Sequence, residues 1–201
     1  MTATGTRRHE LLAIAADLFA ADGFHNVTVD DIGGAAGVSG PALYHHFTGK
    51  EALLGEMLVS ISQHLLDGGM LLAEGGPTDL LERLILFHCE FAVDNRSLIA
   101  VHFRDLIHAT AADQRRVRRL QASYATLWVD AVLARSDGVD PRSARAAVHA
   151  TFGLMNSTPF SSTLPRARMI DLLSAMAESA FITAAMIRPA VPLGAESTDR
   201  P

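Results

Sequence analysis

The stretch from Thr28 to Leu53, TVDDIGGAAGVSGPALYHHFTGKEAL, constrains this chain more than any other. Thr28 is an oxygen-bearing N-cap, Asp30 and Asp31 follow it in the first turn, and Val29, Ile32 and Ala36 recur at helical spacing. Gly37 suits the left-handed conformation that ends such a helix, and Ser39 can cap a second one with Pro41 in its first turn. Two short helices joined through a glycine turn describe a helix-turn-helix, whose second helix is sized for the DNA major groove.

The run Asp31-Ile32, Ala36-Gly37-Val38-Ser39, Leu43-Tyr44-His45-His46-Phe47 and Lys50-Glu51-Ala52-Leu53 resembles the DNA-binding signature of the TetR family of bacterial repressors. The resemblance covers about a quarter of the chain. It implies an all-α homodimer, with an N-terminal three-helix DNA-binding domain over residues 1–50 and a larger C-terminal helical domain over 51–190 for ligand binding and dimerisation. Residues 191–201 read as a disordered tail. By the same resemblance, Thr28, Tyr44, His45 and Lys50 meet the phosphate backbone, while His46 packs inward. Two departures stand out: Asp30 occupies a position that is often basic in the family, and Gly33 and Gly34 stand where alanines are usual.

Ser39, Gly40, Pro41 and Ala42 open the recognition helix, so they are the expected groove readers. They offer one hydroxyl and small apolar groups, with no Arg, Asn or Gln for two-pronged base contacts. Sequence choice then leans on DNA shape and half-site spacing. Bulk charge does not help, because the chain has 17 basic against 22 acidic residues and a net charge of -5.

The rest of the chain reads as helices separated by glycine and proline. Helix 1 is expected from Thr6 to about Asp22, with Leu11, Leu12, Ala15, Leu18 and Phe19 as its apolar stripe, preceded by a disordered arm. The next long helix should start at Lys50 and stop near Leu66, before Gly68-Gly69. Leu80 to Val93 is apolar nearly all round, as a helix buried on several sides would be. Further helices are expected after Asn95 to about His108, from Ala112 to Arg135, from Ser143 to Asn156 and from Arg166 to Ile187, with a loop between Pro159 and Pro165. The last helix carries small residues on an apolar face, which suit a dimer seam or an ordinary core, and the TetR resemblance implies that the last two helices form the dimer seam. No uninterrupted apolar run reaches the roughly 18 residues of a membrane span, and Cys89 is a lone cysteine; a cytoplasmic protein without a membrane is expected.

A small hydrophobic or amphipathic ligand, such as a fatty acid or acyl-CoA, is expected among the helices from Leu80 to Phe152. Its wall would be built from Phe87, Phe91, His102, Phe103, Trp128, His149, Phe152 and Asn156. Arg115, Arg116, Arg118 and Arg119 share one helix face, either as a solvated surface or as a clamp for a ligand's phosphates, with Arg115 or Arg116 as the reaching members. No metal or other cofactor is expected, because His88, Cys89, His102, His108 and His149 lack ligand spacing. No catalytic group is expected either: adjacent His88 and Cys89 diverge by about 100 degrees on a helix. The function expected is a ligand-responsive transcriptional regulator, a repressor released from a palindromic double-stranded DNA operator. Two other readings remain open: a metal or redox sensor using Cys89 and the histidines, and a helical interaction module without an operator.

Overall fold

A computed structural model describes residues 3–39, 43–44, 47–135, 139–161 and 163–186. Its helices are α1 (Ala3–Asp22), α2 (Val29–Ala35), α3 (Lys50–Glu74), α4 (Leu80–Asp94), α5 (Arg96–Asp105), α6 (Ala111–Arg135), α7 (Pro141–Met155), the short α8 (Thr158–Ser161) and α9 (Arg166–Met186). A 3-10 turn, Leu106–His108, follows α5, and no strand occurs among the described residues. The fold is all-α.

α1 begins at Ala3, three residues ahead of the expected cap at Thr6. α2 is started by a full capping box: Asp31 N–H donates to Thr28 Oγ1 (3.1 Å) and Thr28 N–H to Asp31 Oδ2 (2.8 Å). Hydrogen bonds from Thr28 hold the Asp31 carboxyl below its usual pKa range. Gly37 ends the unit at φ +66, a left-handed conformation that a side chain would strain.

Two differences from the sequence reading concern glycine and proline. α3 runs through Gly68 and Gly69 to Glu74 instead of stopping near Leu66. A Cβ at Gly68 would collide with the Phe87 ring, and one at Gly69 would come within 2.8 Å of Tyr124 and Leu127. These glycines admit α4 and α6 to the surface of α3, which offsets their cost of roughly 1 kcal/mol each in helix propensity. The stretch between Pro159 and Pro165 is not all loop, since Thr158–Ser161 makes one helical turn, anchored by Thr158 Oγ1 on the Ala92 carbonyl (2.7 Å).

The apolar side chains gather into two main clusters. The first joins Leu11, Ala15, Phe19, Phe24, Ile32, Leu43 and Phe47 to Leu53, Leu54, Met57 and Leu58 of α3, and takes in Val101, Ala109 and Val117. Packing therefore does not part at residue 50: the first turns of α3, with α5 and the start of α6, belong to the N-terminal core. The second cluster surrounds Trp128, with Leu84, Ile85, Cys89, Val132, Val148, Met155, Leu173 and Phe181.

α9 is long and apolar enough by length and composition to cross a membrane, with mean hydropathy 1.4 over its best window. Charged Asp171 and Glu178 interrupt the run. Its apolar residues divide between a buried face, Met169, Ile170, Leu173, Ala177 and Phe181, and exposed Leu172, Met176, Ile182 and Met186.

Candidate DNA-binding and ligand sites

At the N-terminal end Ser39, Leu43 and Phe47 follow one helical hydrogen-bond path. Leu43 N–H donates to the Ser39 carbonyl (3.3 Å) and Phe47 N–H to that of Leu43 (3.0 Å). Leu43 and Phe47 are buried, which leaves Tyr44 on the outside with 58% of its surface exposed. Thr28, the N-cap of α2, and Ser39 are both exposed. Gly40, Pro41, Ala42, His45 and His46 lie outside the described residues.

Lys50 has another occupation besides any phosphate. Its Nζ donates to the carbonyls of Phe24 (2.6 Å), Val27 (2.8 Å) and His25 (3.4 Å), and sits 4.4 Å from the Phe24 ring centre. A cation on three carbonyls and an aromatic face ties the α1–α2 loop to the start of α3. Arg7 and Arg8 are engaged as well: Arg7 donates to the Ala36 carbonyl (2.5 Å), and Arg8 pairs with Glu56 and covers the Phe47 ring (4.3 Å).

Between α3, α4, α5, α6 and α7 lies a cavity of about 470 Å³. Six of the expected wall residues line it: Phe91, His102, Phe103, His149, Phe152 and Asn156. Trp128 and Phe87 do not. Trp128 is fully buried behind Phe152, edge-on at 5.1 Å, and Phe87 is spent against Gly68 and His64. The cavity has a dry end and an open end. Ile99, Phe91, Ala125, His88 and Tyr124 are buried, whereas Phe103, Arg118, Ala122, Arg145, His149 and Gly153 are exposed.

His88 was singled out by sequence only as a metal or nucleophile-partner candidate, and it lines the cavity instead. Its ring is nearly parallel to Phe152 (5.1 Å, 7°) and to Tyr124 (5.9 Å, 14°). Nδ1 is 3.3 Å from the Tyr124 hydroxyl and Nε2 is 3.1 Å from Asn156 Oδ1. Burial pushes the imidazole pKa down to about 4, against a lesser opposing effect of Asn156, so the ring is neutral at pH 7. Burial also lowers His102, which accepts from Gln121 Nε2 at 2.6 Å. The Cys89 thiol is buried and raised to about 11, which disfavours the thiolate that redox or metal chemistry needs.

The arginines that border the cavity are not the expected pair. Arg118 lines it together with Arg145 of α7, whereas Arg115 and Arg116 are exposed and do not border it. Helical phase explains the choice. Arg118, Gln121, Ala122 and Ala125 follow the i, i+3, i+4, i+7 spacing of one stripe, and all four line the cavity.

One helix serves both ends of the molecule. α5 supplies Ile99, His102 and Phe103 to the cavity wall. Its last turn holds the DNA-binding unit: Arg104 donates to the Phe19 and Ala20 carbonyls, at the C-terminal end of α1, while pairing with buried Asp105 (2.9 Å). Last-turn carbonyls carry negative partial charge, so a guanidinium suits them, and the Phe19 oxygen takes Arg104 in addition to the Gly23 N–H (2.9 Å). Immediately after, His108 stacks on Phe24 (5.2 Å, 8°) and meets His25 edge-on (4.2 Å).

The capped α2, the turn at Gly37 and the buried Leu43 and Phe47, tied through α5 to a cavity-bearing helical body, fit a helix-turn-helix DNA-binding regulator. Residues 11–57 match the family model for the N-terminal domain of bacterial regulatory proteins of the tetR family, and residues 74–160 match a tetracyclin repressor-like C-terminal domain. The chain belongs to the TetR family. It is 32% identical over 126 residues to the HTH-type transcriptional repressor KstR2 of Rhodococcus jostii, a match spanning 61% of this chain and 62% of that repressor. In fold it is similar to the ketosteroid transcriptional regulator KstR2 of Mycobacterium tuberculosis (TM-score 0.72, 21% identity, 86% of this chain and 93% of that one). It is likewise similar to the regulator FadR of Bacillus subtilis, solved in complex with stearoyl-CoA (TM-score 0.69, 16% identity, 88% and 97%).

Proposed function

We propose that this chain is a cytoplasmic homodimeric repressor that leaves a palindromic operator when a small hydrophobic or amphipathic molecule fills the cavity. The observation that carries this reading is the double duty of α5, which lines the cavity with Ile99, His102 and Phe103 and grips the end of α1 with Arg104. A ligand against Ile99, His102 and Phe103 that binds one position of α5 better than another shifts the population of DNA-binding units in the same proportion. Two recognition helices moved away from the half-site spacing no longer fit one face of the duplex.

At the DNA, Ser39, Gly40, Pro41 and Ala42 read the groove, and Thr28, Tyr44 and His45 meet phosphates. Lys50 acts first by fixing the loop before Thr28, and contributes its charge to the backbone from there. The dimer forms through α7 and α9, between which lies a groove lined by Ala146, Ala147, Ala150, Thr151, Ala180 and Ala184. Small side chains let partner helices approach closely, and exposed Leu172, Met176 and Ile182 on α9 gain cover by it. FadR, similar in fold, is seen with an acyl-CoA, which supports an amphipathic effector.

The test is operator binding followed by fluorescence anisotropy while fatty acids of increasing chain length, and their CoA esters, are titrated in. Release by some members, with affinity rising with chain length until the cavity is full, is expected. A footprint without two-fold symmetry, or release by none of the series, contradicts the reading.

A further inference from the structure

The two ends of the cavity differ in charge and in wetness. At the buried end Tyr124 and His88, 4% and 2% exposed, join half-buried Asn156 in one hydrogen-bonded row. One arrangement of protons satisfies the whole row. The Tyr124 hydroxyl donates to His88 Nδ1, and His88 Nε2–H donates to Asn156 Oδ1. The reverse order would leave the phenolic proton of Tyr124 without a protein acceptor among the described residues, facing only the cavity. With Oδ1 occupied by His88, the Asn156 amide has its Nδ2 hydrogens left for the cavity that it lines.

That end offers donors and no positive charge. His88 is neutral because burial opposes its protonation. A carboxylate placed there would lose its hydration with no counter-ion, whereas a carbonyl oxygen needs only one donor. The cations stand at the other end, where Arg118 and Arg145 border the open side and are exposed. We propose that the cavity selects molecules with a polar group at each end: a neutral carbonyl oxygen received by Asn156 Nδ2 at the buried end, and an anionic group beside Arg118 and Arg145 at the mouth. The aromatic wall of Phe91 and Phe152 takes the apolar body between them. This rests on the cavity being the effector site, and it goes beyond that reading by excluding a plain saturated acid as the best-fitting ligand, since such a chain leaves Asn156 Nδ2 without an acceptor.

The experiment compares decanoic acid, 9-oxodecanoic acid and neutral 2-decanone by calorimetry on the purified full chain. The oxo acid is expected to bind roughly tenfold tighter than decanoic acid, the size of one well-placed hydrogen bond. Asn156→Leu should abolish that preference, and Arg118→Gln with Arg145→Gln should weaken both acids while leaving 2-decanone unchanged. Should Asn156→Leu fail to fold, the comparison of the two acids on the unaltered protein still decides. Equal binding of the two acids overturns the buried-end assignment, and undiminished acid binding by the double arginine variant overturns the mouth. Binding without either discrimination sinks this inference and spares the effector cavity. If no probe binds at millimolar concentration, both fall.

Discussion

The N-terminal unit and the cavity-bearing body handle buried polarity in opposite ways. In the first, the core of Leu11, Ala15, Phe19, Ile32 and Leu43 is closed, and Thr28, Lys50 and Arg104 satisfy loop and helix-end backbone at its margin. In the second, His88, Tyr124 and Asn156 line an open volume at the heart of the helical body. A reader of DNA has to present one geometry, so its interior is packed and its polar contacts serve the backbone. A sensor has to exchange water for ligand, so it retains space and polar groups inside. α5 belongs to both.

This contrast implies unequal costs for similar substitutions. Phe19→Ala, at a residue with no exposed surface in the closed core, is expected to cost about 3–5 kcal/mol and to abolish operator binding. Phe152→Ala, on the cavity wall and half-buried, should cost well under half of that and leave operator binding in place. Chemical denaturation of the two variants checks the pair; equal losses would break the distinction.

Acid should act on the body before the reader. His88 has its folded pKa depressed to about 4 from 6.5, so as pH falls from 6.5 towards 4 the unfolded chain takes up a proton that the folded chain refuses. The unfolded state binds more protons, and stability falls over that window by about 3 kcal/mol. Below pH 4 this contribution levels off. His102, depressed by the same cause, adds to the fall. His88→Phe should flatten the profile of unfolding free energy against pH, and an unchanged slope would contradict the burial argument.

Lys50→Met, which retains the length and removes three charge-assisted bonds to the Phe24, His25 and Val27 carbonyls, should lower stability by about 1–3 kcal/mol. Its operator affinity should fall even at salt concentrations that screen phosphate contacts. If the loss vanishes at high salt, Lys50 is a phosphate contact only. The smallest expected effect is a gain: Gly34→Ala meets nothing within 4 Å and sits in α2, so it should stabilise the protein by about 0.5–1 kcal/mol.

Much of the reader was legible because its signals are local. Thr28 three residues before Asp31, Gly37 at a helix end and the buried Leu43 and Phe47 are short-range patterns tied to backbone geometry. The body was legible in its helices and less so in its wall. Gly68-Gly69 looked like a break because a glycine that ends a helix and one that admits a neighbour are the same letter; only Phe87, Tyr124 and Leu127 across the gap tell them apart. Trp128 is as aromatic as Phe152 but stands one layer behind it. His88 beside Cys89 has the residue types of metal and thiol chemistry, and only the packing of Phe152 and Tyr124 against its ring shows that it borders a cavity. Arg118 could have been found, since it shares the stripe of Gln121, Ala122 and Ala125, but nothing in the chain says which stripe faces a void.

The central claim is that α5 transmits cavity occupancy to the DNA-binding unit through Arg104. It is tested most directly by measuring operator affinity with and without saturating 9-oxodecanoic acid, in the unaltered protein and in Arg104→Gln. The account expects the acid to weaken operator binding at least tenfold in the unaltered protein. In the variant it should weaken binding by a several-fold smaller factor, although the acid itself binds the DNA-free variant as tightly as before. An undiminished factor in Arg104→Gln would show that α5's grip on Phe19 and Ala20 is not the route, and would contradict the account.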